Sequence, residues 1–264
     1  MRRSAPALTA GLLAAALVMS APVLSAASAA DPGHDAAPAQ SWSFLGLTGQ
    51  YDKAAVRRGY QVYEQVCSTC HGMKYLRFGD LLGAGLTADQ VRAVAASHQV
   101  PGGTDPDGKP VMRSATSDDP FPPALMPPGP VVPPDQSRLA AVYSGGPDRI
   151  FALLTGYGDP PHGVTPPPGL FYNRFAAGRA IAMPPPLQDG SVTYADGTKA
   201  TLVQEARDVT TFLAWASDPH LGERHRTGVR AVLYLCFLIV LLVLLKRRIW
   251  NGAHRKVKGE TQGP

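Results

Sequence analysis

The sequence predicts a mainly α-helical domain with long Pro/Gly-rich loops, exported across a membrane and held to it by one C-terminal transmembrane helix. Three observations carry this. The 264-residue chain opens on Arg2 and Arg3 followed by an apolar run through Leu12, Leu13, Leu17, Val18 and Met19. It closes on a second apolar run at 229–245, followed by Lys246-Arg247-Arg248. Between these runs, apolar residues recur at helical spacing in two main stretches, separated by segments dense in proline and glycine.

In chain order, residues 1–30 have the form of a secretory signal, with a basic start, an apolar centre and the small residues Ala27-Ser28-Ala29-Ala30 for cleavage. The exported domain then occupies 31–227. Residues 31–40 are Ala- and Pro-rich and are expected to be poorly ordered. Trp42 and Phe44 should dock on the domain. Asp52 can cap a helix over 53–66 whose apolar face is Ala55, Val56, Gly59, Tyr60, Val62, Tyr63 and Val66. A glycine inside a helix has a cost, so Gly59 predicts a second helix crossing closely there.

That helix delivers the chain into Cys67-Ser68-Thr69-Cys70-His71. Two cysteines three apart place both thiols on one side of a turn, and the following His can reach a metal above it. This spacing attaches a c-type haem, with Cys67 and Cys70 as thioether anchors and His71 as an axial iron ligand. A zinc site or a redox dithiol are the alternatives for the pair alone. Export weakens the zinc reading, because two thiols and one His leave a fourth ligand to find.

Beyond the motif, a second helical stretch is expected over 80–99, with Leu81, Leu82, Leu86, Val91 and Val94 as core. The Pro- and Gly-rich segment 99–134 should then form loop that wraps the haem. Ser144-Gly145-Gly146-Pro147-Asp148 opens a short helix, with Ile150, Phe151, Leu153 and Leu154 buried and Gly156 ending it. A further proline loop contains Ala180-Ile181-Ala182-Met183-Pro184-Pro185-Pro186. A helix over 201–217, with Leu202, Val203, Ala206, Val209, Phe212, Leu213 and Ala216 at helical spacing, is the natural partner for the Gly59 helix. The transmembrane helix follows at 228–246, with Arg230 snorkelling at one end.

Charge sets the orientation and limits the partners. From Lys246 to the end there are six Lys or Arg against Glu260 alone, a net of +5, which puts the tail 247–264 on the cytoplasmic side. Residues 31–227 carry sixteen basic and nineteen acidic groups, a net of −3. The overall +5 therefore reflects the two ends, and no nucleic-acid partner is implied. The third cysteine, Cys236, lies inside the membrane segment, so the exported domain has no disulfide framework.

The second axial ligand has several candidates. Met73 stands too close to His71 to reach the opposite face, and Met112 and Met126 lie in loops. Met183 is followed by three prolines that stiffen the chain, and it is the residue chosen here. Ligation by His71 and Met183 raises the reduction potential and fills the coordination sphere, which suits a one-electron carrier. The remaining histidines, His34, His98, His162, His220 and His225, read as surface groups.

At this point the sequence resembles the cytochrome c1 family, the haem subunits of the cytochrome bc1 (ubiquinol–cytochrome c oxidoreductase) complex. The likeness rests on Arg57-Arg58-Gly59-Tyr60-Gln61-Val62-Tyr63 leading into the haem motif, then Gly72-Met73, Pro133-Pro134-Asp135, Leu153-Leu154-Thr155-Gly156-Tyr157, Ala180 to Pro185, Asp208-Val209, Phe212-Leu213, Trp215-Ala216 and the single anchor. The resemblance implies a class I-like c-type cytochrome domain holding one covalent haem c. It implies Cys67 and Cys70 as attachment sites, His71 and Met183 as axial ligands, and Pro133, Pro134 and Phe175 as pocket lining.

There are two departures. Before Pro133-Pro134 the family usually has Asn-Asn-Gly-Ala-Leu, and here the chain reads Pro128-Gly129-Pro130-Val131-Val132. An Arg before the Gly-Gly pair and a Tyr after the acid are replaced by Tyr143 before and Arg149 after. An exchange of places would give Arg149 to a haem propionate. The implied role is an electron-carrying subunit of complex III with no active site of its own. Its implied setting is the bacterial inner membrane, with the haem domain periplasmic and the complex dimeric. Its implied partners are cytochrome b, the Rieske iron–sulfur protein and a soluble or tethered cytochrome c. A free-standing membrane-anchored cytochrome would share every one of these local features, and a thiol-redox subunit would share the Cys pair.

Overall fold

A computed structural model describes residues 35–122 and 131–260, the last ten of these by backbone only. The signal sequence, His34 and Met126 lie outside the described residues. The frame is a pair of crossing helices, α1 (Lys53–Gln65) and α5 (Leu202–Ser217). Both start as the sequence requires. The Asp52 carboxylate accepts the Ala54 N–H at 2.9 Å, and the Thr201 hydroxyl accepts the Gln204 N–H at 3.2 Å. Val56, Tyr60, Val62 and Tyr63 of α1 are buried against Val209, Phe212 and Leu213 of α5. The ring of Phe212 lies 5.7 Å from those of both Tyr60 and Tyr63.

Gly59 is the point of closest approach. A Cβ there would stand 2.0 Å from the Asp208 carbonyl oxygen and 2.7 Å from the Phe212 Cβ. Backbone cannot yield as a flexible side chain can, so glycine is required at this crossing. Beside it, Arg58 embraces the buried Asp208 through two bonds, Nε to Oδ2 at 2.9 Å and a terminal nitrogen to Oδ1 at 3.1 Å, and reaches Asp196 at 3.2 Å. A bidentate pair of this kind fixes the register of the two helices.

Between α1 and α5 the chain runs through a 3-10 turn at Cys67–Thr69, a second at Phe78–Leu82, α2 (Ala88–Ala96), a hairpin of β1 (Gln99–Thr104) and β2 (Pro110–Ser114), α3 (Leu139–Val142), α4 (Gly146–Thr155), and the two-residue strands β3 (Phe171–Tyr172) and β4 (Ala180–Ile181). Helix α6 (Leu221–Glu260) follows α5 after a three-residue break and is long and apolar enough over Leu221–Trp250 to cross a membrane. Helix α4 starts after Gly145, whose φ of +86° an L side chain would resist, and carries Pro147 as its second residue.

Five expectations need correction. Residues 35–40 are irregular yet docked: Asp35 N–H donates to the Arg174 carbonyl at 3.0 Å, and Gln40 N–H to Asp148 at 3.1 Å. The expected 80–99 helix is divided by Gly83 and Gly85 into a 3-10 turn and α2, which leaves Leu82 exposed. The 99–134 loop contains the β1–β2 hairpin, because the Asp105 carboxylate accepts the N–H groups of Asp107 and Lys109 and so closes a turn. Val203 faces solvent, while Glu205 and Asp208 of the same helix are buried. His98 is partly buried against Phe78, its ring 5.0 Å away, with Nε2 at 3.4 Å from Glu64.

Gly59→Ala is expected to force the helices apart and cost about 3 kcal/mol, ~6–12 °C in Tm, by thermal unfolding. Burial also pushes the Glu205 carboxyl above its ordinary 4.5. A carboxyl raised on folding is destabilising once ionised, so stability falls as pH rises from 4.5 through the raised value. Glu205→Gln keeps an acceptor for the Val192 N–H and should flatten the fall in stability above pH 4.5.

Candidate haem site

The Cys67–Thr69 turn continues directly from α1, and its Cys67 carbonyl accepts the N–H groups of Cys70 at 3.1 Å and His71 at 2.9 Å. The Ser68 hydroxyl donates back to the Glu64 carbonyl at 2.8 Å, tying the turn to the last turn of α1. The five motif residues are therefore held as a rigid extension of the helix that Gly59 seats.

A cavity of about 460 Å³ opens beside this turn. Cys67, Cys70 and His71 line it, and so does Met183, more than a hundred residues further along. Val131, Val132, Pro133 and Pro134 contribute a proline-stiffened wall, α4 contributes Ile150, Leu153 and Leu154, and α5 contributes Val209 and Leu213. The lining is overwhelmingly apolar, with Gln136 and Tyr143 as its polar members outside the motif.

Three hydrogen bonds position the candidate ligands. The His71 Nδ1–H donates to the Pro134 carbonyl at 2.8 Å, which fixes the tautomer and leaves the Nε2 lone pair free. The Tyr63 hydroxyl donates to the His71 carbonyl at 3.0 Å. The Tyr157 hydroxyl donates to the Met183 carbonyl at 2.9 Å. The loop that supplies Pro134 is itself strapped to the motif: the Asp135 carboxylate accepts Lys74 N–H at 2.8 Å, the Ser137 hydroxyl accepts Tyr75 N–H at 3.0 Å, and Gln136 N–H donates to the Gly72 carbonyl at 2.9 Å.

The electrostatics suit a metal ligand and disfavour thiolate chemistry. Burial lowers the His71 imidazole below its ordinary value, so it is neutral near pH 7 and carries a free lone pair. Burial, reinforced by Cys70, pushes the Cys67 thiol up to about 12. A thiol held protonated at neutral pH is a poor nucleophile for thiol–disulfide exchange. Among the described residues there is also no group of three or more His, Cys, Asp or Glu able to hold a metal ion by themselves.

Of the residues singled out in the sequence, Cys67, Cys70, His71, Met183, Pro133 and Pro134 meet at this cavity. Phe175 does not line it; it is buried in a small neighbouring cluster with Ala152, Leu153 and Ala176, under the Arg174 guanidinium. Arg149 is half-buried beside Gly145 and outside the lining, whereas Tyr143 is part of the wall. Met112 is an exposed member of β2, and Met73 is fully buried in the core. The supporting roles of Tyr63, Tyr157, Asp135 and Asn173 were missed. Asn173 is fully buried, donates to the Leu153 carbonyl at 2.7 Å and accepts the Phe175 N–H at 3.0 Å.

A family model described as the Cytochrome C1 family matches residues 42–253. The chain belongs to the cytochrome c1 family. Its relatives include cytochrome c1, heme protein, of Saccharomyces cerevisiae mitochondria, 40% identical over 230 residues that cover 82% of this chain and 72% of the relative. Cytochrome c1 of Rhodospirillum rubrum is 36% identical over 263 residues, covering 91% and 96%. A protein named cytochrome b/c1 from Bradyrhizobium diazoefficiens is 35% identical over 254 residues, covering 85% of this chain and 37% of that one. The mainly α, c-type cytochrome fold, with one long apolar C-terminal helix among the described residues, is thus that of cytochrome c1, whose cofactor is a covalently bound haem c. The donors present fit that group: two thiols three apart, a neutral imidazole, a thioether and a dry wall.

Tyr157→Phe is expected to loosen the Met183 segment by about 1 kcal/mol. With Met183 as the proposed iron ligand, the change should weaken the methionine–iron charge-transfer band of the oxidised holoprotein and leave covalent attachment intact. Tyr63→Phe should act on the His71 side, with a similar loss of stability and little change in that band.

Proposed function

We propose that this cytochrome c1 takes one electron from a Rieske iron–sulfur protein and passes it to a soluble or tethered cytochrome c, as the haem subunit of a ubiquinol–cytochrome c oxidoreductase (bc1) complex. The observation that supports it most is the single apolar cavity that gathers Cys67, Cys70, His71 and Met183. In this reading Cys67 and Cys70 hold the haem c by thioether bonds, while His71 and Met183 are its axial ligands. When bound, the group would supply one-electron transfer, at a potential that a thioether ligand would raise.

The chain's own residues hold and shield. Pro133 and Pro134 stiffen the wall beside His71, α4 and α5 exclude water, and electron transfer at this subunit needs no nucleophile, acid or base. Quinol chemistry belongs to the partner cytochrome b and the iron–sulfur protein. The cytochrome b/c1 relative, whose name joins the two in one chain, supports assembly with cytochrome b. In the proposed topology residues 1–30 are removed, 31–227 are periplasmic, 228–246 cross the bacterial inner membrane and 247–264 are cytoplasmic, within a dimeric complex. The net −3 of residues 31–227 suits a basic carrier, whose docking would be fast and weakened by salt.

Affinity purification of the solubilised chain, followed by dithionite-minus-ferricyanide spectra, tests the assignment. A c-type α-band co-purifying with b-type haem and quinol–cytochrome c reductase activity is expected; a c-type band purifying alone identifies a free-standing carrier instead. Cys67→Ala or Cys70→Ala should remove one of the two thioether bonds and shift the pyridine haemochrome band. Met183→Leu should keep haem attachment and lower the midpoint potential by on the order of 0.1–0.3 V, with loss of reductase turnover.

A further inference from the structure

The segment between the docked Trp42 and the capping Asp52 has a feature that haem binding does not use. From 41 to 51 the sequence Ser-Trp-Ser-Phe-Leu-Gly-Leu-Thr-Gly-Gln-Tyr contains no charged residue. Its ends are fixed. Trp42 and Phe44 are buried and stacked at 5.5 Å, the Tyr51 ring lies 5.1 Å from Phe44, and the Tyr51 hydroxyl donates to the Ala214 carbonyl at 2.9 Å, near the end of α5. The loop closes on itself, with Gln50 N–H donating to the Ser43 carbonyl at 3.0 Å. Its tip presents Leu45 and Leu47 to the outside, 56% and 88% exposed.

Exposed leucines are common, and exposure alone would carry nothing. Position distinguishes these two. His225, in the first turns of α6, donates from Nδ1 to the Gly49 carbonyl at 3.0 Å. The apolar run of α6 begins at Val229, four residues later, or about 6 Å along the helix axis. A bilayer's headgroup layer is roughly 5–7 Å deep on each side. The loop is therefore pinned at the depth of the headgroups, on the same helix whose 229–245 side chains face outward with nothing among the described residues covering them.

We propose that the 45–49 loop is a second membrane contact: Leu45 and Leu47 enter the lipid interface beside α6 and, with the His225–Gly49 bond, set how the haem domain stands on the bilayer. The occupant is lipid. An uncharged aliphatic tip continuous with a lipid-facing helix matches the acyl–headgroup boundary, where amphipathic segments bury apolar groups ~5–10 Å deep. A one-point anchor leaves a domain free to swing about its stalk, whereas two points hold the cavity mouth at one height. The proposal rests on α6 spanning the membrane.

Spin labels at Leu47→Cys, Ile239→Cys and Val142→Cys, each in Cys236→Ser holoprotein with Cys67 and Cys70 occupied by haem, test it in phosphatidylcholine nanodiscs. The readout is the ratio of collisions with oxygen to collisions with a water-soluble nickel complex. The position-47 ratio should lie between the lipid value at 239 and the aqueous value at 142, several-fold above the latter. A position-47 ratio equal to that at 142, with 239 reading lipid, overturns the loop contact and leaves the anchor standing. Protection at 47 that arises only after assembly with the other subunits also overturns it, and assigns the tip to a protein partner. An aqueous reading at 239 removes the anchor and the loop contact together.

Discussion

Everything at the haem site depends on the crossing of α1 and α5 at Gly59. The absence of one methyl group lets Asp208 and Phe212 of α5 approach the α1 backbone, and the α1 C-terminus is the strand of chain from which Cys67, Cys70 and His71 project. Moving the helices apart by the width of a side chain would carry the motif with them, while Val209 and Leu213 of the opposite wall stayed with α5. The buried Arg58–Asp208 pair acts on the same contact. It sits one residue from Gly59, and its two-bond geometry admits one rotation and one register. Close packing supplies the energy of this contact and the ion pair supplies its specificity.

The second wall is built by other means. Prolines remove donors and prevent regular ladders over much of 120–200, so the segments there are held one hydrogen bond at a time. Asp135, Ser137 and Gln136 strap their loop to 72–75, the Tyr157 hydroxyl holds the Met183 carbonyl, and Asn173 ties Phe175 to α4. Apart from the backbone bond from Gln136 to Gly72, each links a side chain to a backbone group of a segment that has no strand or long helix to satisfy it. At the membrane end the same device recurs, in the Tyr51–Ala214 and His225–Gly49 contacts that join the N-terminal loop to α5 and α6.

Much of this was legible in the sequence because it is written locally. The caps at Asp52 and Thr201, the apolar stripe of α1, the glycine that foretells a close neighbour, the Cys–Cys–His spacing and the unbroken apolar run each need only a few adjacent residues. Reading failed where a residue's partner lies far along the chain. Asp35 and Gln40 looked like parts of a loose tail, yet Arg174 and Asp148, more than a hundred residues away, hold them. His98 looked like surface, and Phe78 and Glu64 make it a partly buried group. Val203 and Glu205 are placed against their hydropathy, since Glu205 finds the Val192 N–H at 3.1 Å and Val203 finds no neighbour in the core.

The sequence by itself determined that this chain has a Cys–Cys–His motif of haem-attachment spacing at the end of an amphipathic helix, a partner helix and an apolar C-terminal segment long enough to span a membrane, because spacing and hydropathy are properties of contiguous residues. Among the methionines it also singled out Met183 as the expected second ligand. Only the tertiary structure decided which of these share a cavity with His71: Met183 does, Met112 is out on a hairpin and Met73 is in the core. It likewise decided that Pro133 and Pro134 form the wall while Phe175 stands behind it, and that two tyrosines hold the backbone of both candidate ligands. The reason is physical. Which groups meet across a cavity is fixed by the packing of distant segments, and no periodicity in the chain records a contact made across a hundred residues.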